Sequence, residues 1–224
     1  MSALFVTATG TDVGKTFVMT KLVAELRAAR RSVRALKPIA SGFDAADVAA
    51  SDAGVLLDAL GLAPTPANLD AVSPWRFAAP LSPDMAAARE NRAIPFAEVV
   101  EFCRAPRAAD VTLIEGIGGV MVPLDAEHTV LDWIAELGAP VLLVAGSYLG
   151  TLSHTLTAVA ALRARGCQLA AVIVSESATQ PVPLHDTVAA LRRFVRPVEV
   201  AGLARERRGD ARLLPLLGAF LGSG

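Results

Sequence analysis

The segment from Ala3 to Leu26 constrains the fold more than any other part of the chain. An apolar run, Ala3 to Thr9, is followed by a loop that ends in Gly14, Lys15 and Thr16. A helical pattern comes next, and one face of it carries Val18, Met19, Leu22, Val23 and Leu26. Strand, loop and helix in this order are typical of a phosphate-binding loop, in which backbone N–H groups surround an anion and the lysine contacts the outer phosphates.

The loop departs from the usual glycine pattern at its start. Thr9 stands five residues before Gly14, where the first glycine of the motif is expected, and Gly10 follows it. We retain the interpretation because the strand before the loop and the amphipathic helix after it supply the context that the motif requires. The helix would add the positive end of its dipole to the anion site.

Short apolar runs alternate with helical patterns along the rest of the chain. The predicted strands are Ala3 to Thr9, Val33 to Lys37, Val111 to Glu115, Val141 to Ala145, Leu169 to Val174 and a weak Val198 to Val200. Helical patterns run from Thr151 to Arg165 and from Leu184 to Val195. Apolar strands separated by helices predict an α/β fold with a mainly parallel sheet and helices on both faces. The proline-rich region from Gly61 to Pro106 predicts loops and short helices at one end of the sheet.

Length and composition favour one domain over residues 1–224, although two smaller domains also fit 224 residues. A net charge of -1 gives no reason to expect binding to nucleic acid or to an anionic membrane. Cys103 and Cys167 are predicted to be buried free thiols in a reducing cytosol, with a disulfide as the alternative. The sequence shows no signal-peptide pattern and no membrane-spanning run, so a cytoplasmic protein is expected.

Two further groups of chemically active residues follow predicted strands. Lys37 precedes Pro38, which favours an extended conformation for the lysine, and Ser41 follows shortly after. Glu115 ends the third strand and precedes a loop that contains Gly116, Ile117 and Gly118. Ligands of parallel sheets bind at the carboxyl ends of strands, so these residues are expected beside the phosphate loop. Taken singly, Lys37 also fits a solvated strand end, and Glu115 also fits a cap of its loop.

Five segments resemble the dethiobiotin synthetase family in order and spacing. They are Thr7 to Thr16, Lys37 to Gly42, Ser51 to Asp52, Glu115 to Gly119 and Leu149 to Thr155. The resemblance covers nearly the whole chain and implies a P-loop NTPase fold and an enzyme that depends on ATP and Mg2+. In that family diaminopelargonic acid takes up CO2 as a carbamate, the carbamate attacks the γ-phosphate of the nucleotide, and the second amine closes a cyclic urea.

The resemblance also implies roles for particular residues. The catalytic residues would be Lys37, Lys15 and Thr11, and the ligands of Mg2+ would be Thr16, Asp52 and Glu115. The substrate-binding residues would be Ser41, Thr11, Gly150, Thr151 and Ser153, although local capping explains the Thr11 and Ser41 hydroxyls nearly as well. The nucleotide-binding residues would be Asp12, Val13, Gly14, Lys15, Thr16, Phe17, Asp52, Glu115, Gly116, Ile117, Gly118, Ser175, Glu176, Ala204 and Arg205.

Three positions depart from the family pattern or extend it. Asp12 stands where glutamate is usual, and its shorter side chain puts direct metal binding in doubt. Ser175 stands where an asparagine commonly contacts the base, and Ala204 replaces a usual proline. The arginines Arg205, Arg207 and Arg208 predict a solvated loop, which the family places beside the base.

The resemblance implies a homodimer, because in the family the helix that starts near Gly150 meets the neighbouring subunit's substrate carboxylate. Three alternatives stay open. A ParA/MinD-type regulatory ATPase shares the sheet and the loop, but its second lysine early in the loop is absent here. A cobyrinate-type amide synthetase carries an additional glutaminase domain that this length does not accommodate. A nucleotide-binding module without chemistry would leave Lys37 and the carboxylates unexplained.

Overall fold

The computed structural model describes residues 2–106, 108–205 and 212–221. Its strands are β1 Ser2–Ala8, β2 Val33–Leu36, β3 Ile39–Ser41, β4 Trp75–Phe77, β5 Val111–Glu115, β6 Val141–Ala145, β7 Leu169–Ser175 and β8 Glu199–Leu203. Its α-helices are α1 Lys15–Ala28, α2 Asp52–Leu60, α3 Pro66–Val72, α4 Pro83–Arg89, α5 Phe96–Arg104, α6 Val130–Leu137, α7 Thr151–Ala164, α8 Leu184–Phe194 and α9 Leu214–Leu221. A short 3-10 helix, Val48–Ala50, precedes α2.

Six strands form one parallel sheet in the order β2-β5-β1-β6-β7-β8. Strands β5, β6 and β7 are buried along their whole length, as expected for a sheet with helices on both faces. Successive side chains of β1 point to opposite faces, so Leu4 belongs to one core cluster and Phe5 to the other. Phe5 packs edge to face against Trp133, with ring centroids 4.9 Å apart. The predicted α/β fold is therefore confirmed.

The glycine loop lies at the carboxyl edge of this sheet because β1 stops at Ala8 and α1 begins at Lys15. Gly14 has a φ of 95°, a left-handed conformation that favours glycine and turns the chain into the helix. The predicted apolar face of α1 is buried against the sheet. The loop's ammonium and hydroxyl groups are thus fixed to the first turn of a buried helix.

The region from Gly61 to Pro106 contains more order than the sequence predicted. Besides the short helices, it supplies β4, which pairs in parallel with β3 in a separate two-stranded sheet. Strands of three residues are too short for their alternation to stand out in a sequence. This small sheet continues directly from Lys37 and Pro38 and brings Ser41 to the site described below.

Several strand boundaries and the exposure of Cys167 differ from expectation. Strand β2 ends one residue before Lys37, whose backbone N–H donates to the Val72 carbonyl instead, and β8 extends to Leu203. Cys103 and Cys167 are free, so the disulfide alternative is wrong, and Cys167 is partly exposed rather than buried. Arg207 and Arg208 lie outside the described residues. No described helix combines the length and apolar character that a membrane span requires.

Candidate active site

Lys15 folds back over its own loop. Its Nζ donates to the carbonyl oxygens of Gly10, at 3.1 Å, and of Gly118, at 3.0 Å. Burial, followed by the nearby charge of Lys37, lowers its pKa to about 8, and the smaller individual effects of Glu115, Asp52 and Asp12 act in the opposite direction. Within the described residues this buried ammonium is hydrogen-bonded only to neutral carbonyls, which leaves it capacity for an anion, so this position suits a phosphate group.

Lys37 has the opposite electrostatic surroundings. Its side chain is almost fully buried, and its Nζ lies 2.7 Å from Glu115 Oε1, 3.0 Å from Asp52 Oδ2 and 3.0 Å from the Gly116 carbonyl oxygen. Burial alone would lower the pKa of Lys37, but the charges and hydrogen bonds of the two carboxylates outweigh it and raise the pKa above 10.5. Lys37 is therefore a fixed cation at neutral pH and not a proton acceptor.

Oxygen atoms of three side chains, Thr16, Asp52 and Glu115, converge beside Lys37. Thr16 Oγ1 lies 2.8 Å from Asp52 Oδ1 and 2.8 Å from Glu115 Oε1, yet one hydroxyl proton serves only one of these acceptors fully. Glu115 Oε2 is buried and has no hydrogen-bond partner in the part of the chain that the structure describes. Lys37 also holds the pKa of Asp52 below its usual range, against the opposing effect of burial. This surplus of acceptor oxygens fits a hard divalent cation such as Mg2+.

Protein groups alone would not complete such a site. Within the described residues, no three His, Cys, Asp or Glu side chains gather to hold a metal ion. Mg2+ commonly keeps several waters and binds through one or two carboxylates together with phosphate oxygens. Thr16, Asp52 and Glu115 match that pattern, so the donor set fits Mg2+ only in combination with a phosphate-bearing ligand.

Two adjoining pockets surround these groups. The first is a cleft of about 380 Å³ lined by Thr11, Asp12, Gly14, Lys15, Thr16, Phe17, Lys37, Ser41, Asp52, Glu115, Ile117 and Gly118. The second, of about 420 Å³, is lined by Asp12, Val13, Gly14, Phe17, Ser175, Glu176, Ser177, Ala178 and Arg205. Asp12, Gly14 and Phe17 line both pockets. The two spaces together can hold an elongated ligand whose charged end lies among the lysines.

Most residues that the sequence analysis selected therefore line one of the two pockets. Gly116 lines neither, but its carbonyl binds Lys37, and a side chain there would collide with Phe5. Ala204 also lines neither pocket and only precedes Arg205. Asp12 has a left-handed backbone, with a φ of 57°, and an exposed side chain.

The segment that starts α7 lies apart from both pockets. Gly150, with a φ of 96°, caps this helix, and Ser153 is exposed. The Thr151 hydroxyl is buried and donates to the Gly146 carbonyl at 2.7 Å. The Thr151 N–H donates to the Tyr148 carbonyl at 3.2 Å. Binding of a substrate by this segment, within this chain or across subunits, stays a prediction.

The sequence analysis missed Ser177, which lines the second pocket, and the network residues Ser147 and Gln180, which do not. Ser147, Ser177 and Gln180 join the loops after β6 and β7 by hydrogen bonds. Their position after buried strands was the only available signal, since no spacing motif marks them.

Comparison with known proteins assigns the family. A family model described as an AAA domain matches residues 2–211. The ATP-dependent dethiobiotin synthetase BioD of Acidiphilium cryptum is 54% identical over 200 residues, which cover 87% of this chain and 89% of that protein. This chain belongs to the ATP-dependent dethiobiotin synthetase family. It is accordingly an enzyme of the ligase class.

Other relatives agree with this assignment. Proteins of the same name from Methylobacterium nodulans and Phenylobacterium zucineum are 49% and 46% identical. The matches cover 86% and 94% of this chain, and 89% and 91% of those proteins. The family that the sequence analysis inferred from motifs is therefore confirmed.

Solved structures show the fold alone. The MinC:MinD cell division complex of Aquifex aeolicus contains a chain with a TM-score of 0.54 and 13% identity, covering 99% of this chain and 85% of that one. The signal recognition particle receptor FtsY of Elizabethkingia anophelis gives a TM-score of 0.53 at 16% identity, covering 99% of this chain and 64% of that one. Both likenesses support a parallel sheet flanked by helices.

Proposed function

We propose that this enzyme carboxylates 7,8-diaminopelargonic acid with CO2 and closes the ring to give dethiobiotin, ADP and phosphate at the expense of ATP. The observation that carries the proposal is the convergence of Lys15, Lys37, Thr16, Asp52 and Glu115 in one cleft of a dethiobiotin synthetase family member. Such a cluster pairs a cation held by carbonyl oxygens with a second cation held among carboxylates.

The proposed reaction balances in three steps. An amine nitrogen of the substrate bonds to the carbon of CO2 and releases a proton, which gives a carbamate. A carbamate oxygen bonds to the γ-phosphorus while the bond to the β,γ-bridging oxygen breaks, and ADP leaves. The second amine bonds to the carbamate carbon, loses a proton and expels inorganic phosphate, which closes the cyclic urea.

Phosphoryl transfer depends mainly on positioning and on neutralisation of charge. Lys15 would exchange its carbonyl contacts for phosphate oxygens. Lys37 would place its permanent charge beside the carbamate and the transferring phosphoryl group. Thr16, Asp52 and Glu115 would hold Mg2+, which when bound neutralises phosphate charge. The Thr11 and Ser41 hydroxyls line the same cleft and would bind the carbamate or the amines.

A regulatory ATPase of the MinD type is the second candidate, because the likeness to MinD covers almost the whole chain. The loop itself argues against it. Lys15 is the only lysine between Thr9 and Thr16, whereas that class carries a second lysine early in the loop. The fold likeness, at 13% identity, does not extend to the chemistry.

Mass spectrometry would separate the two candidates. The protein would be incubated with diaminopelargonic acid, bicarbonate, ATP and Mg2+, with omission of each component as a control. We expect the cyclic urea and ADP to form together in equal amounts and only in the complete mixture. Two results together would favour the regulatory ATPase: ATP hydrolysis in the absence of the diamine, and no cyclic urea when the diamine is present.

A further inference from the structure

We propose that Gln180 is a positioning residue that fixes the wall of the second pocket against which the nucleotide base lies. This inference rests on the proposed function, because it takes the base to occupy the pocket lined by Ser175, Glu176 and Arg205. Gln180 itself does not line the pocket and acts through its neighbours.

The first part of the wall is a reciprocal pair of serines. The Ser147 N–H donates to Ser177 Oγ at 2.9 Å, and the Ser177 N–H donates to Ser147 Oγ at 2.9 Å. Ser147 is fully buried, so its hydroxyl proton needs an acceptor within the protein. That acceptor is Gln180 Oε1, at 2.8 Å.

The second part of the wall is a carboxylate that Gln180 holds in place. Gln180 Nε2 donates to Glu176 Oε1 at 2.8 Å, while Glu176 Oε2 accepts from the Arg205 backbone N–H at 2.9 Å. An ionised carboxylate only accepts, so the amide can be oriented in one way: nitrogen towards Glu176 and oxygen towards Ser147. The single amide thus connects the loop after β6 with the loops after β7 and β8.

Loss of the Gln180 side chain would remove hydrogen bonds from two neighbouring side chains. Without the amide, the buried Ser147 hydroxyl loses its acceptor, and Glu176 regains rotational freedom beside the pocket. The Arg205 N–H would then lose its fixed partner. The first cleft shares only Asp12, Gly14 and Phe17 with this pocket, so the phosphate contacts of Lys15 and Thr16 would be unaffected.

The test compares a ligand that has a base with one that lacks it. Calorimetry with Mg2+ would measure binding of ATP and of inorganic tripolyphosphate to the wild type and to Gln180→Glu. The variant keeps the side-chain length but replaces the donor to Glu176 by a second carboxylate. We expect ATP binding to weaken about tenfold, the size of a lost hydrogen bond to a charged group, and tripolyphosphate binding to stay unchanged.

The double variant Glu176→Gln, Gln180→Glu restores every bond. In this variant the amide at position 176 donates to the carboxylate at position 180 and accepts from the Arg205 N–H. The carboxylate at position 180 also accepts from the Ser147 hydroxyl. We expect ATP binding to return to within about threefold of the wild type, since the hydrogen bonds are the same in number and type. Gln168→Glu, an equal charge change at an exposed residue at the opposite end of β7, is the matched control and should bind both ligands normally.

The outcomes separate this proposal from the proposed function. Equal weakening of ATP and tripolyphosphate in Gln180→Glu, or failure of the folded double variant to recover, overturns the positioning role. Normal ATP binding in Gln180→Glu overturns it as well, while leaving the proposed function intact. Equal affinity of the wild type for ATP and tripolyphosphate would instead show that the base gains nothing from the second pocket, which overturns the nucleotide placement and this inference together.

Discussion

Lys15 and Lys37 line the same cleft but have different charged neighbours. Lys15 is bound by neutral carbonyls and has a lowered pKa, whereas Lys37 is bound by Asp52 and Glu115 and has a raised one. One cation is available to an incoming anion, and the other neutralises carboxylates already present. Their removal should therefore have different consequences.

We expect Lys15→Ala to weaken nucleotide binding and turnover together, and Lys37→Ala to keep nucleotide binding and lose mainly kcat. The reason is that Lys15 would contact the phosphates in the bound state, whereas Lys37 would act most strongly on charge that develops during the reaction. Lys37→Arg should not restore activity, because a planar fork does not replace a point charge. Titration calorimetry and steady-state kinetics check this, and an equal loss of ATP affinity in both alanine variants would contradict it.

Lys37→Ala should also destabilise the ligand-free protein. Glu115 is fully buried, and removal of one partner of a buried ion pair costs about 3 kcal/mol or more. Denaturation without ligand measures the effect, and denaturation with ATP, in the presence and absence of Mg2+, tests the ligands. Mg2+ with ATP should recover more of the loss in Lys37→Ala than ATP alone if Glu115 and Asp52 bind the ion, and no difference would argue against those ligands.

Base selection should be loose, because Ser175 offers a short hydroxyl at the second pocket. A serine matches several base edges, whereas an asparagine amide both donates and accepts in fixed positions. One lost contact of this kind is worth about 1 kcal/mol, so CTP, GTP and UTP should support turnover within roughly tenfold of ATP. Product formation with each nucleotide, in the wild type and in Ser175→Asn, decides the matter. A preference for ATP of several hundredfold in the wild type would mean that another residue reads the base.

At the scale of elements, helix starts determine where the site's loops lie. Helices α1 and α7 begin after left-handed glycines, Gly14 and Gly150, which end the loops that follow β1 and β6. Helix α6 begins differently, with a capping box in which Thr129 and Asp132 bond each other's backbone N–H groups. This box anchors the loop that leads from Glu115 through Gly118 to α6.

The Asp132 carboxylate should make α6 sensitive to acid. The Thr129 backbone N–H, followed by the Thr129 hydroxyl, holds the pKa of Asp132 below its usual 3.8. A depressed folded pKa contributes stability above 3.8, and that contribution disappears as pH falls through the folded value. We expect Asp132→Asn to cost about 1 kcal/mol at pH 7 and much less near pH 2, as measured by urea denaturation.

Asp186→Asn provides the control for that measurement. Asp186 occupies the same position in the first turn of α8, but the residue before that helix is Pro183, which makes no side-chain cap. A smaller effect there would assign the loss in Asp132→Asn to the capping box. Equal, pH-independent losses in both variants would contradict the prediction.

At the scale of the whole molecule, the start of α7 presents apolar surface to the outside. Leu149 is 84% exposed and Leu152 42% exposed, next to Gly150 and Ser153. We propose that this surface meets a second copy of the chain, so that each substrate site is completed by the partner's α7. An isologous two-fold arrangement would place both surfaces in one interface.

Complementation tests the shared site. Gly150→Val would distort the left-handed start of α7, since a β-branched residue is strained at a φ of 96°. Co-expression of Lys37→Ala chains with Gly150→Val chains should give about a quarter of wild-type activity, because half of the random dimers are mixed and each has one intact site. Gly166→Val, at the far end of α7, is the control for strain alone. If mixed dimers are demonstrated and the mixture is inactive, the substrate site is not shared between subunits.

The sequence by itself determined the sheet, the glycine loop and most cleft residues. These features are local, because buried strands are continuous apolar runs and the loop's functional residues all lie within the segment from Thr9 to Thr16. Strand polarity then placed Lys37 and Glu115 at the same edge as the loop, and the structure has both lysines lining one cleft.

Only the tertiary structure decided the rest. The pairing of β3 with β4 joins segments more than thirty residues apart, and no local pattern in three-residue strands specifies it. The pKa values of Lys15 and Lys37 depend on burial and on the charged groups that approach each one, and the Gln180 network depends on the distance between two loops. Hydrogen bonds and ion pairs act over a few ångströms, so their partners exist only once the chain has folded.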